Sequence, residues 1–183
     1  RCAKLEDQVM PSAQDLSRTL GNVAHLIIEK VFDGKPIKEA SEYYKADYET
    51  IFEESVNEKG LLLRLPEYAI DLRRMKLKMR EALDKLAKTI IDNNLTVEAC
   101  EYEFKQAKWA EAGDGVTLGS RADMLLRDNK GGKVIFDFKY TSDIERKTEI
   151  EENRALQLEF YRYMAKQEFG KQTNVRVAYI LLP

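Results

Sequence analysis

The sequence predicts an α/β protein, with a central β-sheet of mixed strand directions flanked by α-helices and preceded by a helical N-terminal region. Three observations predict it. Apolar residues recur at helical steps from Leu16 to Val31 and helical segments continue to about Asn93, short β-prone stretches follow from Val97 onward, and a late helical stretch separates two of the strands. At 183 residues the chain has about the length of one domain and can bury a core. No repeat or low-complexity linker divides it. Residues 1–183 therefore read as a single domain, helical over about 12–93 and sheet-forming over about 95–183.

Leu16, Leu20, Val23, Ile27 and Val31 form the stripe of an amphipathic helix, with Ser12 or Asp15 as its cap. Asp33-Gly34-Lys35-Pro36 breaks that pattern. Ile37 to Leu65 reads as one or two helices, and Pro66 to Asn93 as another, dense in cations. Strands follow at Val97–Phe104, Val116–Leu126 and Lys133–Tyr140. Asp128-Asn129-Lys130-Gly131-Gly132 is a turn sequence short enough to make the last two an antiparallel hairpin. Polar residues Thr141 to Asn153 lead into a helix from about Arg154 to Phe169, which Gly170 ends, and Val175–Leu182 is a final strand.

Thirty basic residues against 32 acidic ones leave a formal net charge of -2, which excludes a globally basic coat but not a local patch. The two cysteines, Cys2 and Cys100, are too few and too far apart for a disulfide framework or a Cys-x-x-Cys site, which points to a reducing, cytoplasmic setting. His25 is the only histidine, so every site needing two from this chain is excluded and any metal must be held largely by carboxylates. No apolar run approaches the roughly 18 residues of a membrane helix, which predicts a soluble protein. The chain starts at Arg1 and stops on the apolar run Tyr179–Leu182, so it reads as a piece of a longer protein.

Alternation along Val134–Tyr140 places Ile135, Asp137 and Lys139 on one face. A hairpin centred on Lys130 opposes Leu126 to Val134 and Asp123 to Asp137. Two carboxylates meeting across a strand pair, with Cβ atoms about 5 Å apart, repel unless a cation lies between them or one is protonated. Oxygen ligands of this kind suit Mg²⁺ or Mn²⁺. The alternative is a polar strand face bearing a surface ion pair. His25 lies opposite the apolar stripe of its helix, with Gly21 one turn before it and Glu29 one turn after. It is either on a solvated face or a ligand, and Gly21 would let a ligand or backbone approach it. Gln157 and Tyr161, four apart, share a helix face.

Taken in order, Gly21-Asn22-Val23-Ala24-His25, Gly119-Ser120-Arg121-Ala122-Asp123, Asp137-Phe138-Lys139 and Gln157-x-x-x-Tyr161 resemble the RecB-type branch of the PD-(D/E)XK nuclease superfamily. That branch includes AddB-like repair nucleases and CRISPR-adaptation nucleases. The resemblance spans Gly21 to Tyr161 and implies a restriction-endonuclease-like core. It implies a metal bound by His25, Asp123, Asp137 and the carbonyl of Phe138, Lys139 as the catalytic lysine, and Gln157 and Tyr161 as the accessory motif. It also implies a glutamate on the preceding strand, where Glu101 and Glu103 both fit. Several members hold an iron-sulphur cluster with one cysteine before the histidine and three after the Gln-x-x-x-Tyr helix. Here Cys2 precedes His25 but no cysteine follows Tyr161, so this chain alone forms no such cluster. The tripeptide is Asp-x-Lys where many superfamily members have Glu-x-Lys.

The implied activity is metal-dependent hydrolysis of DNA, as an exonuclease of RecB type working on single strands or duplex ends in repair or processing. Helicase or other domains of a longer protein are the implied partners, with no membrane. A non-catalytic DNA-binding module of a helicase-nuclease assembly and an RNA- or phage-type endonuclease are the rival readings. Arg64 to Lys88 carries eight basic residues against four acidic ones. Arg73, Arg74, Lys76 and Arg80 in it are candidate contacts to the DNA backbone, the alternative being a solvated helix face.

Overall fold

The computed structural model describes residues 12–105, 107–108, 117–140 and 144–182. Helix α1 (Ala13–Phe32) starts at a capping box, in which Ser12 Oγ accepts the Asp15 N–H at 3.2 Å and Asp15 Oδ2 accepts the Ser12 N–H at 3.0 Å. Its buried arc is wider than the predicted stripe: Leu26 and Ile28 are covered as well as Val23, Ile27 and Val31, as befits a helix packed on two sides. Helix α2 (Ile37–Lys59) begins just after Pro36 and kinks at Asp47. Two 3₁₀ turns, Leu61–Arg64 and Pro66–Tyr68, lead into α3 (Ala69–Asp92). The Tyr44 hydroxyl donates to Asp84 Oδ1 at 2.6 Å and ties α2 to α3.

Strand β1 (Thr96–Glu103) is followed by two short strands, β2 (Ala107–Lys108) and β3 (Thr117–Leu118), which pair with each other apart from the main sheet. Then come β4 (Arg121–Arg127), β5 (Lys133–Tyr140), helix α4 (Ile144–Phe169) and β6 (Val175–Leu182). The main sheet has the order β1-β4-β5-β6, antiparallel except for the parallel pair β5 and β6. Parallel neighbours need a long crossover, and α4 provides it.

Met124, Leu126, Val134, Phe136 and Phe138 pack into the layer made by α1, α2 and α3. Leu125, Ile135 and Val175 pack instead on Tyr161, Met164 and Ala165 of α4. Helices thus cover both faces of a mixed sheet, as the sequence predicts. No helix among the described residues is long and apolar enough to cross a membrane.

Two elements differ from the sequence prediction. The stretch Val116–Leu126 is not one strand. Gly119 and Ser120 interrupt it, so that Thr117–Leu118 pairs with β2 while Arg121–Arg127 joins the main sheet. Val116 itself, like Cys2, lies outside the described residues. The last helix starts at Ile144 rather than near Arg154. Its first turns are rich in Glu, Lys and Arg with no Gly or Pro, so propensity favours helix where no apolar stripe announces it.

The β4–β5 turn is fixed by Asp128, whose Oδ1 accepts the N–H groups of Lys130 at 2.9 Å and Gly132 at 2.8 Å. Gly131 takes φ +83°, a left-handed value that glycine adopts without a Cβ clash. The resulting register runs from Arg127 opposite Lys133 to Met124 opposite Phe136. One further step of the same ladder opposes Asp123 to Asp137.

Candidate metal centre

The chemistry gathers where α1 passes the ends of β1, β4 and β5. His25 projects from α1 with Nε2 at 3.0 Å from the Phe138 carbonyl oxygen. A carbonyl only accepts, so in this contact Nε2 carries the proton. His25 Nδ1 then faces Asp123 Oδ1 at 3.5 Å and Glu101 Oε1 at 3.8 Å. Donor atoms of His25, Glu101 and Asp123 all lie within 4.8 Å of one another. Three electron-rich groups converging in this way need a proton or a cation among them, and a nitrogen with carboxylate oxygens is a donor set that fits Mg²⁺ or Mn²⁺. Glu103 is exposed, whereas Glu101 takes φ +50° and turns to His25. A non-glycine residue in the left-handed region is uncommon, and such residues concentrate at functional sites.

Asp123 is held by the Phe138 N–H, which donates to its Oδ2 at 2.5 Å. Its carboxyl is pushed up to about 6, first by burial and then by the nearby charges of Asp137 and Glu101, against the opposing pull of His25 and the Phe138 N–H. Glu29 is also raised, by burial and then by Glu101, Asp33 and Glu58. The cleft is therefore electronegative and favours a cation. It encloses about 460 Å³, and Asn22, Lys59 and Arg121 line it beside the acidic groups.

Asp137 is buried on the α4 side of this cluster. Its Oδ1 accepts from Gln157 Nε2 at 2.9 Å and from the Tyr161 hydroxyl at 2.8 Å. Its Oδ2 accepts no well-directed hydrogen bond and has the Lys139 ammonium at 2.6 Å as an ion pair. Burial and the Asp137 charge push the Tyr161 phenol well above its ordinary range, so it stays a donor. The Tyr161 hydroxyl also lies 3.1 Å from the Arg121 carbonyl oxygen.

Two groups at the centre were not singled out by the sequence reading. Arg121 Nε pairs with Glu101 Oε2 at 2.8 Å. Alternation along β4 carries the signal for it, since residues 121 and 123 share a face. Tyr179 of β6 donates its hydroxyl to Gln157 Oε1 at 2.8 Å, and Lys139 Nζ lies 5.6 Å from the centroid of its ring. Nothing local in the sequence reveals a neighbour across a parallel strand pair. Gly21 lies beside this end of β5, and among the described residues outside its own helix backbone and its two chain neighbours a Cβ there would meet the Tyr140 Cβ, at 3.9 Å.

The four candidate DNA-contacting cations on α3 are placed differently. Arg73 and Arg74 are exposed, and Arg74 is close enough to Tyr140 for its charge to act on that phenol. Arg80 is also exposed and sits over the Tyr48 ring at 5.9 Å. Lys76 is half-buried and committed to Glu49 and to Glu53.

A mixed sheet covered by helices on both faces, with histidine, carboxylates and lysine gathered at the ends of its strands, defines an α/β domain of the restriction-endonuclease-like kind. A family model of the PD-(D/E)XK nuclease superfamily matches residues 3–183, and the chain belongs to that superfamily. Nucleases of this superfamily use divalent metal ions. Among curated proteins none matches the chain.

Proposed function

We propose that this protein is a metal-dependent deoxyribonuclease, an exonuclease of RecB type that processes single strands or duplex ends in DNA repair. Residues 1–183 form its single nuclease domain, it works in the cytoplasm on Mg²⁺ or Mn²⁺, and helicase or other domains of a longer protein are its partners. The observation that carries this reading is the adjacency of two differently built halves. An acidic and imidazole cluster of His25, Glu101 and Asp123 stands beside a buried Asp137 that is ion-paired to Lys139.

His25, Glu101 and Asp123 would hold the cation, with Asp137 and the Phe138 carbonyl completing the set from the next strand. When bound, a divalent cation supplies Lewis acidity toward water and the phosphoryl oxygens. Hydrolysis forms a P–O bond from water, which gives up a proton to solvent, and breaks the P–O bond to the leaving sugar, whose oxygen takes up a proton from solvent. Lys139 orients the attacking water and meets the negative charge that grows on the phosphate. Asp137 keeps Lys139 in place, while Gln157 and Tyr161 hold Asp137 by its other oxygen. Exposed Arg73 and Arg74 bind the DNA backbone on the α3 side.

The experiment is cleavage of labelled single- and double-stranded DNA, linear and circular, with Mg²⁺, Mn²⁺ or EDTA. Metal-dependent loss of linear substrate with circular substrate spared is the expected result. Cleavage of circles would assign an endonuclease, and no cleavage of any substrate would leave a DNA-binding module.

A further inference from the structure

The last strand delivers to this centre a residue that the superfamily motifs do not include. We propose that Tyr179 is a positioning residue, which orients the Gln157 amide on Asp137 and backs the Lys139 ammonium with its ring. The proposal rests on the nuclease reading of the site above.

Three observations support it. In the parallel register of β5 and β6, Asp137 stands opposite Tyr179. The two side chains are therefore neighbours on the α4 face, whatever else β6 does. Second, the Tyr179 hydroxyl donates to Gln157 Oε1 at 2.8 Å while Gln157 Nε2 donates to Asp137 Oδ1 at 2.9 Å. An amide has one accepting end and one donating end. A phenol proton on the accepting end leaves the NH₂ group to the carboxylate. The flipped amide would set carbonyl oxygen against carboxylate oxygen. Third, Lys139 Nζ lies 5.6 Å from the Tyr179 ring centroid and 2.6 Å from Asp137 Oδ2. The distance to the ring is within cation–π range. The ammonium is thus held from two directions, and both lead back to Asp137 and its strand partner.

The consequence is a chain of contacts that runs from the edge strand to the catalytic strand. Tyr179 sets Gln157, Gln157 and Tyr161 set one oxygen of Asp137, and the other oxygen sets Lys139. A tyrosine placed merely to suit a strand would need none of these contacts, since valine or isoleucine serves equally well there.

The test is a double-mutant cycle with Tyr179→Phe and Gln157→Ala, read by calorimetric Mn²⁺ titration of metal-free protein and by kcat and KM for DNA cleavage. Tyr179→Phe keeps the ring and removes the hydrogen bond to Gln157, so kcat should fall about three- to tenfold, with KM and the melting temperature close to wild type. Mn²⁺ affinity should weaken by a similar factor. In the Gln157→Ala background the same change should cost nothing further, because residues acting through one another are not additive. Tyr179→Leu, which also removes the ring, should lower kcat beyond Tyr179→Phe. Gln157→Glu keeps an acceptor for Tyr179 but has no amide to donate to Asp137, and it should reproduce the loss with Tyr179 intact. Wild-type values in Tyr179→Phe would overturn the proposal. So would a full, additive loss in the Gln157→Ala background, or a lower melting temperature with kcat unchanged. Should the wild-type protein cleave no DNA, the nuclease reading fails, and the Mn²⁺ cycle still decides the role of Tyr179 on its own.

Discussion

Lys139 and Asp137 stand two residues apart on one face of β5, and their 2.6 Å contact joins a cation to a buried carboxylate whose charge acts on Asp123. Such a pair serves two different ends in a binding module and in an enzyme. A lysine that only binds DNA is one cation among many, and its loss trims affinity. A lysine that meets charge developing on the phosphate acts mainly in the transition state, and its loss appears in kcat. Lys139→Ala should therefore lower kcat by about 10²- to 10³-fold. DNA binding measured in Ca²⁺ should change less than about threefold, the scale of a surface ion pair. An equal loss in binding and rate would make Lys139 an ordinary phosphate contact. Glu101 illustrates the opposite case at this scale: alternation in the sequence leaves it level with Glu103, and the structure separates them by the left-handed backbone of Glu101, its approach to His25 and its 2.8 Å contact to Arg121.

Two helices carry predictions of their own. In α1, Gly21 sits in the helix interior, where glycine is about 1 kcal/mol less favourable than alanine. A Cβ added there meets Tyr140 Cβ at 3.9 Å, an ordinary contact. Gly21→Ala should accordingly stabilise the protein by about 0.5–1 kcal/mol, measured as a higher denaturant midpoint with unchanged slope. A lower midpoint would show that the close approach of α1 to β5 leaves no room for a methyl group. In α3, the cations differ by what already neutralises them. Charge reversal at Arg73 or Arg74 should flatten the slope of log affinity against log salt by about 0.7–0.9 per lost phosphate contact, alike for all DNA sequences. Lys76 is held by Glu49 and Glu53, so Lys76→Gln should leave that slope close to wild type. Identical slopes in every variant would return the whole face to solubility.

At the scale of the molecule, stability and metal binding are linked through the acidic cluster. Asp123 titrates near 6 in the folded protein against about 4 in an unfolded chain. Its carboxyl is raised, so its contribution to stability is fully present below about pH 4 and is lost as the pH rises through about 6. Above that point the metal-free cluster carries uncompensated charge, and a divalent cation relieves it. Below it protons compete with the cation for the same oxygens. Saturating Mn²⁺ should therefore raise the melting temperature more at pH 7.5 than at pH 5. His25→Ala should shrink that rise without lowering the melting temperature of the metal-free protein. An equal rise at both pH values would mean that the cation binds elsewhere.

Much of the layout was legible from the sequence alone because it rests on short-range rules. Ser12 caps α1 through a motif three residues long, the Asp128-to-Gly132 turn sets the β4–β5 register, and alternation places Asp137 with Lys139. The quoted motifs sufficed for the superfamily. What tertiary structure decided depends on partners distant in the chain. The start of α4 and the split at Gly119 escaped because charged helix turns and two-residue strands have no periodicity to read. Glu101 rather than Glu103 stands beside His25 because α1 packs at that point of the sheet. Lys76 is neutralised because α2 brings Glu49 and Glu53 to it. Tyr179 reaches Gln157 only because a crossover helix makes β6 the parallel neighbour of β5, and a parallel register is set by the packing of that whole unit rather than by any turn.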